Sequence, residues 1–243
     1  MKEVIVQSLG QAGYLVESDG LRIAIDPYLS DSCGVADARF SRLFPPPIAP
    51  ADLEVDIMII THNHTDHLDP ETIGPYRHKA TTRFVAPRLT ASALAATGVP
   101  EGNISVVDHA GTLSLPGVTI TGVFALGTSP DSVDTCGYLL AFPTGQTLYT
   151  CSDTSWCDLL AQCAPKAVDV LLVCINGHFG NLNVDQALLL TKAVQPRIVV
   201  PNHYDVMALN SENPETFRLL YDQSGLSGQC VILAAGESLA IGK

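Results

Sequence analysis

Alternating hydrophobic and polar positions near the start of the chain predict a meander of short β-strands. Apolar residues recur at about every second place over Val4–Ser8, Tyr14–Glu17 and Leu21–Ile25, and glycines separate these stretches. Such alternation is typical of strands with one buried face. Asp26, followed by a proline, ends the third stretch, and residues 28–53 show little periodicity. We predict a long loop there, and long ordered loops in compact domains are usually functional.

After residue 54, continuous apolar runs alternate with stretches of helical character. Residues 55–60 form an uninterrupted apolar segment apart from Asp56, which indicates a strand buried on both faces. A helix is expected to begin near Pro70, because Asp69 is a good N-cap and proline suits the first helical position. Further strands are expected at 83–86, 104–107, 118–123, 137–142, 146–151, 168–174, 197–201, 231–233 and 238–241, and further helices at 89–96, 156–163, 184–194 and 214–221.

The order of these elements indicates one α/β domain. No low-complexity tract or linker divides the chain, so we expect a single domain, residues 1–243, built from two β/α halves, roughly 1–115 and 116–243. Two β-sheets packed face to face with helices outside would be consistent with that order. The pattern alone does not distinguish this architecture from a three-layer α/β fold.

Composition and charge narrow the range of partners. The chain has 13 Lys and Arg against 25 Asp and Glu, a formal net charge of −12. Nucleic-acid binding is therefore not expected, since it requires clustered cations. The seven cysteines form no CxxC pair and suit reduced thiols. The charged N-terminus does not resemble a signal peptide, and no apolar run approaches the ~20 residues of a transmembrane helix. We expect a cytoplasmic protein that acts on a small molecule, with a homo-oligomer left open.

Three histidines and an aspartate lie within six positions directly after the apolar segment 55–60. They are His62, His64, Asp66 and His67. In an extended backbone His62 and His64 would project to the same side, whereas Asp66 and His67 follow where the chain must turn. Imidazole and carboxylate ligands suit Zn, Fe, Mn, Co or Ni. A hydrogen-bonded polar loop is the alternative, but four potential ligands in so short a stretch favour a metal site.

The spacing His62-x-His64-x-Asp66-His67 resembles the HxHxDH signature of the metallo-β-lactamase superfamily. The surroundings resemble its L-ascorbate-6-phosphate lactonase-like branch, through the Asp-Pro pair after the third strand and through segments 148–153, 175–181 and 200–205. The resemblance covers nearly the whole chain. It implies a four-layer αββα sandwich, with two mixed β-sheets face to face and helices outside, and the activity of a metal-dependent hydrolase.

The same resemblance implies the rest of the site. Asp153 would bridge two metal ions and His203 would be the last ligand, so that one complete metal site would consist of Asp66, His67, Asp153 and His203. Asp66 would also orient the nucleophile, and His178 would take a catalytic or substrate-binding part. The expected substrate contacts are Asn176, His178, Asn181 and Tyr204. Asp26 would orient a ligand histidine from behind, as carboxylates often do.

One histidine of the family's pattern has no counterpart in this chain. The family usually adds a third histidine to the first pair, but residues 123–131 contain none. His62 and His64 would then share Asp153 and either a water molecule or a substitute such as Asp131 or Asp134. We therefore expect one or two divalent ions bound with unequal affinities, Zn above all, with Mn or Fe as alternatives.

These residues favour a hydrolase that uses a metal-activated water on a small ester, lactone or phosphate-bearing metabolite. A lactone is favoured through the resemblance alone. A phosphodiesterase of phospholipase-like activity is the nearest alternative, and the missing histidine leaves a degenerate, non-catalytic metal-binding protein as another. An apolar groove formed by residues 28–53 would favour a lipid substrate, whereas a basic pocket would favour a sugar phosphate.

Overall fold

The computed structural model describes residues 3–242, which fold into strands and helices in mixed order. The strands are β1 Val4–Gly10, β2 Gly13–Ser18, β3 Leu21–Ile25, β4 Ile57–Ile59, β5 Arg83–Ala86, β6 Ile104–Val106, β7 Thr112–Leu115, β8 Val118–Phe124, β9 Cys136–Ala141, β10 Thr147–Thr150, β11 Val170–Cys174, β12 Ile198–Asn202, β13 Gln229–Cys230 and β14 Ser238–Ile241. The helices are α1 Ser32–Ala36, α2 Pro70–Ile73, α3 Arg88–Ala96, α4 Asp158–Cys163, α5 Val184–Val194 and α6 Pro214–Gln223.

The strands form two seven-stranded mixed sheets. The first has the order β14-β1-β2-β3-β4-β5-β6 and the second β13-β12-β11-β10-β9-β8-β7. In the first sheet β3 to β6 run parallel, and in the second β10 to β13 run parallel. Neighbouring parallel strands end at the same edge of a sheet, and loops at that edge are where α/β proteins usually bind ligands.

The core lies between the sheets and on both of their outer faces. Buried side chains of the two sheets pack against each other in the middle, among them Val16 and Ile23 from the first and Leu140 and Leu172 from the second. A second apolar cluster joins the outer face of the first sheet to α2 and α3, and a third joins the second sheet to α4, α5 and α6. The expected four-layer αββα arrangement of two mixed sheets is confirmed.

Several boundaries differ from those expected. Strand β7 was not predicted, although Pro116-Gly117 forms the tight turn that pairs it with β8. This strand joins the second sheet, and β14 pairs with β1 in the first, so the sheets do not divide at residues 115 and 116. The strand expected at 231–233 is observed as β13, which begins two residues earlier, at Gln229, where it pairs with Ile198 of β12.

The segment 28–53 contains short elements that its sequence did not indicate. Helix α1 and two single turns of 3-10 helix interrupt the expected loop. The helix expected at Pro70 is confirmed, with the Asp69 side chain accepting a hydrogen bond from Glu71 N. All seven cysteines are free. Among residues 3–242, none of the helices has the length and apolar character needed to span a bilayer.

Candidate metal centre

The expected metal ligands converge where strands of both sheets end. His62, His64, Asp66 and His67 follow β4, whereas Asp153 and His203 follow β10 and β12. His203 has a φ of +65°, and Ser152, next to Asp153, has +62°. Non-glycine residues seldom adopt this conformation, and sparsely populated backbone conformations cost about 1–3 kcal/mol each, so they persist where the surrounding structure fixes them.

Four of these side chains form one tight group. His203 Nε2 lies 3.2 Å from Asp66 Oδ2 and 3.1 Å from Asp153 Oδ2. His67 Nε2 lies 3.4 Å from Asp153 Oδ1 and 3.7 Å from Asp66 Oδ2. Ligand atoms bonded at about 2.0–2.2 Å to one tetrahedral ion are separated by similar distances. The ligand atoms of Asp66, His67 and His203 all lie within 4.8 Å of one another, as do those of His62, His67 and Asp153, so these residues have the spacing needed to hold a metal ion.

The charges in this group also favour a cation. Burial alone would lower the pKa of His203, but Asp153 and Asp66 outweigh burial and raise it to about 10. Burial opposes ionisation of Asp66 and Asp153, yet His67 and His203 hold the pKa of both carboxyls below the usual range. Two ionised carboxylates that both contact His67 and His203 require positive charge beside them, which either protons or a metal ion can supply.

An unsatisfied atom supports the same conclusion. Asp153 Oδ1 is buried, and apart from His67 Nε2 at 3.4 Å, which is not aligned for a hydrogen bond, it has no partner. A buried carboxylate oxygen without a donor costs free energy, which coordination to a divalent ion would remove. Two imidazoles and two carboxylates suit Zn, Mn or Fe. The residues present therefore fit a divalent metal ion.

Residues behind the ligands fix the orientation of the imidazole rings. Asp26 Oδ2 lies 2.8 Å from His67 Nδ1, and Thr61 donates to the same carboxylate through its backbone N–H and its hydroxyl. Asn210 Nδ2 lies 3.0 Å from His203 Nδ1. In both rings Nε2 is directed at the carboxylates, and the Asp26 carboxylate also favours a proton on His67 Nδ1, which leaves Nε2 of that ring free to bind a metal ion. Asp26 is thus placed as expected, and Asn210 is an addition.

Gln11 is a further member of the site that the sequence did not indicate. Its side-chain Nε2 donates to Asp66 Oδ2 over 2.8 Å, and its backbone oxygen accepts from His203 N over 2.9 Å. It lies in the tight turn between β1 and β2 with a φ of +54° and is almost completely buried. A polar residue in a glycine-rich hairpin turn is a weak signal, and nothing in the sequence connects it to residues 66 and 203.

The first pair of histidines has no third histidine, as expected. His62 Nε2 lies 3.0 Å from His64 Nδ1, while His64 Nε2 lies 2.9 Å from Ser129 Oγ. Burial, together with the neighbouring His67, lowers the pKa of His62, so this ring stays neutral, the form that binds metal. Within residues 123–131, where the family usually has its third histidine, Gly127 has no room for any side chain, because a Cβ there would lie 2.3 Å from the backbone oxygen of Ser132.

The two proposed substitutes for the missing ligand differ in position. Asp131 Oδ1 lies 3.6 Å from His64 Nε2, although the side chain is largely exposed. Asp134 was wrong as a substitute, because its carboxylate accepts from the backbone N–H groups of Leu89 and Thr90 and caps the start of α3. Asp131 thus stays a proposal, and Asp134 has a structural role.

A cavity of about 370 Å³ lies beside the carboxylates and is lined by His64, Asp66, Asp153 and His203 among others. Asn181, an expected substrate contact, also lines it and donates to Asp153 Oδ2 over 2.7 Å.

The other expected substrate contacts are not brought to this cavity. Asn176 is buried and donates to Asn210, so it supports His203 indirectly. His178 is exposed, because the turn around it reverses through Gly177 and Phe179 at positive φ. Tyr204 lines a smaller cavity on the other side of His203. Catalytic or substrate contact by these residues would therefore require a different arrangement of the loops.

Comparison with known proteins identifies the family. Residues 21–204 match the family described as the β-lactamase superfamily domain. The chain belongs to the metallo-β-lactamase superfamily. It is similar to a UPF0173 metal-dependent hydrolase of Thermococcus kodakarensis, with 30% identity over 98% of this chain and 100% of the relative. A UPF0173 metal-dependent hydrolase of Methanosarcina mazei is 27% identical over 99% of this chain and 100% of the relative.

Solved structures agree with this family. Igni18, a novel metallo hydrolase from Ignicoccus hospitalis, matches with a TM-score of 0.79 and 25% identity, covering 99% of both chains. An isothiocyanate hydrolase from Delia radicum gut bacteria matches with a TM-score of 0.77 over 98% of both chains, and at 20% identity this likeness concerns the fold alone. The chain is a metal-dependent hydrolase of the metallo-β-lactamase fold, and its place in the lactonase-like branch stays a prediction.

Proposed function

We propose that this metallo-β-lactamase superfamily member hydrolyses a small carbonyl ester or lactone at a centre formed by Asp66, His67, Asp153 and His203. The observation that carries the proposal is that two imidazoles each lie 3.1–3.7 Å from two carboxylates beside an open cavity. Zn is the expected ion, with Mn or Fe as alternatives. His62 and His64 would contribute to a second, weaker position, because a third histidine is absent.

A divalent ion at this centre would lower the pKa of a bound water towards ~7 and polarise the substrate carbonyl. Asp66 would orient this water, because its carboxylate lines the cavity while Gln11 fixes Oδ2. Asp26 and Asn210 hold the two ligand rings, and Asn181 holds Asp153. The protein thus supplies an arrangement fixed before substrate arrives, which is a main source of catalysis in such sites.

Replacing Asp66 with alanine tests the proposal. We expect hydrolysis to fall by at least ~100-fold, because the substitution removes both a metal ligand and the group that orients the nucleophile. Hydrolysis of 4-nitrophenyl esters is measured alongside circular dichroism, which should show an unchanged fold. The exposed Asp52→Ala variant is the matched control and should retain full activity. Turnover at the wild-type rate in Asp66→Ala would refute the role of Asp66.

A further inference from the structure

The cavity beside the metal centre has an apolar outer wall. Besides the metal ligands, its lining includes an apolar set that we call the wall, namely Cys33, Ala36 and Phe40 from the 28–53 segment, with Phe179 and Met207. The rings of Phe40 and Phe179 lie 5.7 Å apart, which joins the 28–53 segment to the loop after β11. A substrate whose reacting group reaches the metal ligands would place its remaining part against this wall.

Phe179 is held in an unusual position for an aromatic residue. Its φ is +55°, and the residue is 58% exposed although it lines the cavity. A bulky side chain at positive φ is disfavoured and persists mainly where function requires it. Binding of an apolar group against Phe179 would bury ring surface that the free protein leaves in water.

The wall offers no partner to a negatively charged group. Among residues 3–242, no lysine or arginine lines the cavity. Asp37 does line it, and the nearby Arg39 binds that carboxylate, with Nη2 2.6 Å from Oδ2. Arg42 donates to the backbone oxygens of Tyr28 and Phe44 and lies over the Tyr28 ring. A phosphate or carboxylate remote from the metal centre would therefore be desolvated without a counter-charge, which is costly.

Two polar atoms near the centre are acceptors without a partner. Gln11 and Asn181 give their amide N–H groups to Asp66 and Asp153, and these donations fix which end of each amide is oxygen. Gln11 Oε1 and Asn181 Oδ1 are buried without a hydrogen-bond partner. Acceptors of this kind repel an anion.

From this wall and these acceptors we infer that the substrate is a neutral carbonyl ester or lactone whose apolar acyl group packs against Phe40 and Phe179. The inference rests on the proposed function and specifies its substrate class. It disfavours the phosphate-bearing metabolites and phosphodiesters that the same metal ligands could otherwise serve. Phe179 and Ala36 are the positions that would set specificity.

Two esters of similar size, with the same leaving group, test whether a charge on the acyl chain lowers the rate of hydrolysis. 4-Nitrophenyl butyrate is neutral, whereas 4-nitrophenyl hemisuccinate has the same leaving group and carries a carboxylate at the end of its acyl chain. With the metal-loaded enzyme we expect kcat/KM for the butyrate to exceed that for the hemisuccinate by at least ~10-fold, through KM, because the carboxylate would meet the apolar wall without a partner.

Two pairs of variants test whether the apolar wall causes the preference for the neutral ester. Ala36→Lys places a cation on the wall and should raise kcat/KM for the hemisuccinate severalfold, whereas Ala38→Lys, on the exposed 3-10 turn outside the cavity, should leave both esters unchanged. Phe179→Ala should raise KM for the butyrate more than for 4-nitrophenyl acetate. Phe44→Ala, which removes a ring outside this cavity, is its control.

The outcomes separate this inference from the proposed function. Equal or better use of the hemisuccinate, or hydrolysis of bis(4-nitrophenyl) phosphate in preference to both esters, would overturn the neutral substrate class while leaving a metal-dependent hydrolase. Hydrolysis of neither ester, or ester hydrolysis that persists in Asp66→Ala, would overturn the proposed function and the inference with it.

Discussion

At the scale of single residues, the site depends on hydrogen bonds that hold the metal ligands from behind. Asp26 is buried, binds His67 Nδ1 and accepts two hydrogen bonds from Thr61. Asn210 Nδ2 contacts Nδ1 of His203 and positions that ring. The Asp26 carboxylate also favours a proton on His67 Nδ1, which leaves Nε2 of that ring free to bind the ion.

Asp26→Asn therefore should weaken metal binding while leaving every ligand in place. We expect a ~10–100-fold rise in the dissociation constant for Zn, the range typical for loss of a group behind a ligand. Titration against a zinc-competing chelator measures the constant. Asp56→Asn is the matched control, because Asp56 is exposed and precedes β4 whereas Asp26 follows β3. An unchanged constant in Asp26→Asn would contradict the role of Asp26.

The residues of the site differ in how far the sequence reveals them. His62, His64, Asp66 and His67 are adjacent in sequence, so their spacing alone indicates a metal site. Gln11 contacts Asp66 across 55 residues and His203 across 192. Such contacts arise only when β1, β4 and β12 end at one edge, and no local pattern carries that information.

At the scale of elements, Asp69 links the metal-binding segment 62–67 to segment 28–53. We call the latter the covering segment, because Cys33, Ala36 and Phe40 of it line the cavity. Its buried carboxylate caps α2 and also accepts hydrogen bonds from Ser30 N, Ser30 Oγ, Ser32 Oγ and Thr72 Oγ1. The cap was expected from the Asp-Pro pair, whereas α1 was not. Helix α1 begins at Ser32, and both Ser30 and Ser32 form hydrogen bonds with Asp69. Local sequence preference does not reveal such tertiary contacts, so it did not indicate this helix.

Asp69→Ala should loosen the covering segment as well as α2. We expect a loss of about 2–4 kcal/mol in the free energy of unfolding, because several donors to a buried carboxylate lose their acceptor. Urea unfolding measures the loss, and faster cleavage by trypsin within residues 28–53 would show where it acts. Glu71→Ala, exposed in the same helix, should change stability by less than ~0.5 kcal/mol. Equal stability of the two variants would contradict this linkage.

At the scale of the whole molecule, the apolar faces of the two sheets pack against each other. This packing brings segments that are distant in sequence to one edge of the sheets. Hydrophobic runs in the sequence located most strands, and the four-layer arrangement was expected from the resemblance. The return of β14 to the first sheet was not, because Ser238–Ile241 is short and gives no indication of its partner. Strand pairing between the ends of a chain depends on the assembled fold rather than on local pattern.

Leu172 tests the layer between the sheets. It is fully buried there, so Leu172→Ala should lower the free energy of unfolding by about 2–5 kcal/mol through lost burial and the cavity left behind. Leu219→Ala, at a position 58% exposed on α6, is the control and should be nearly neutral. Denaturant unfolding compares them, and a neutral Leu172→Ala would contradict this packing.

The central claim is that Asp66, His67, Asp153 and His203 hold a divalent ion. Elemental analysis of metal per chain, on protein purified without chelator or affinity tag and then dialysed, tests it most directly. We expect at least about one equivalent in the wild type, the number that one complete site of four ligands holds, and its loss in His203→Ala. No metal retained or regained after incubation with Zn or Mn, or an undiminished metal content in His203→Ala, would contradict the claim.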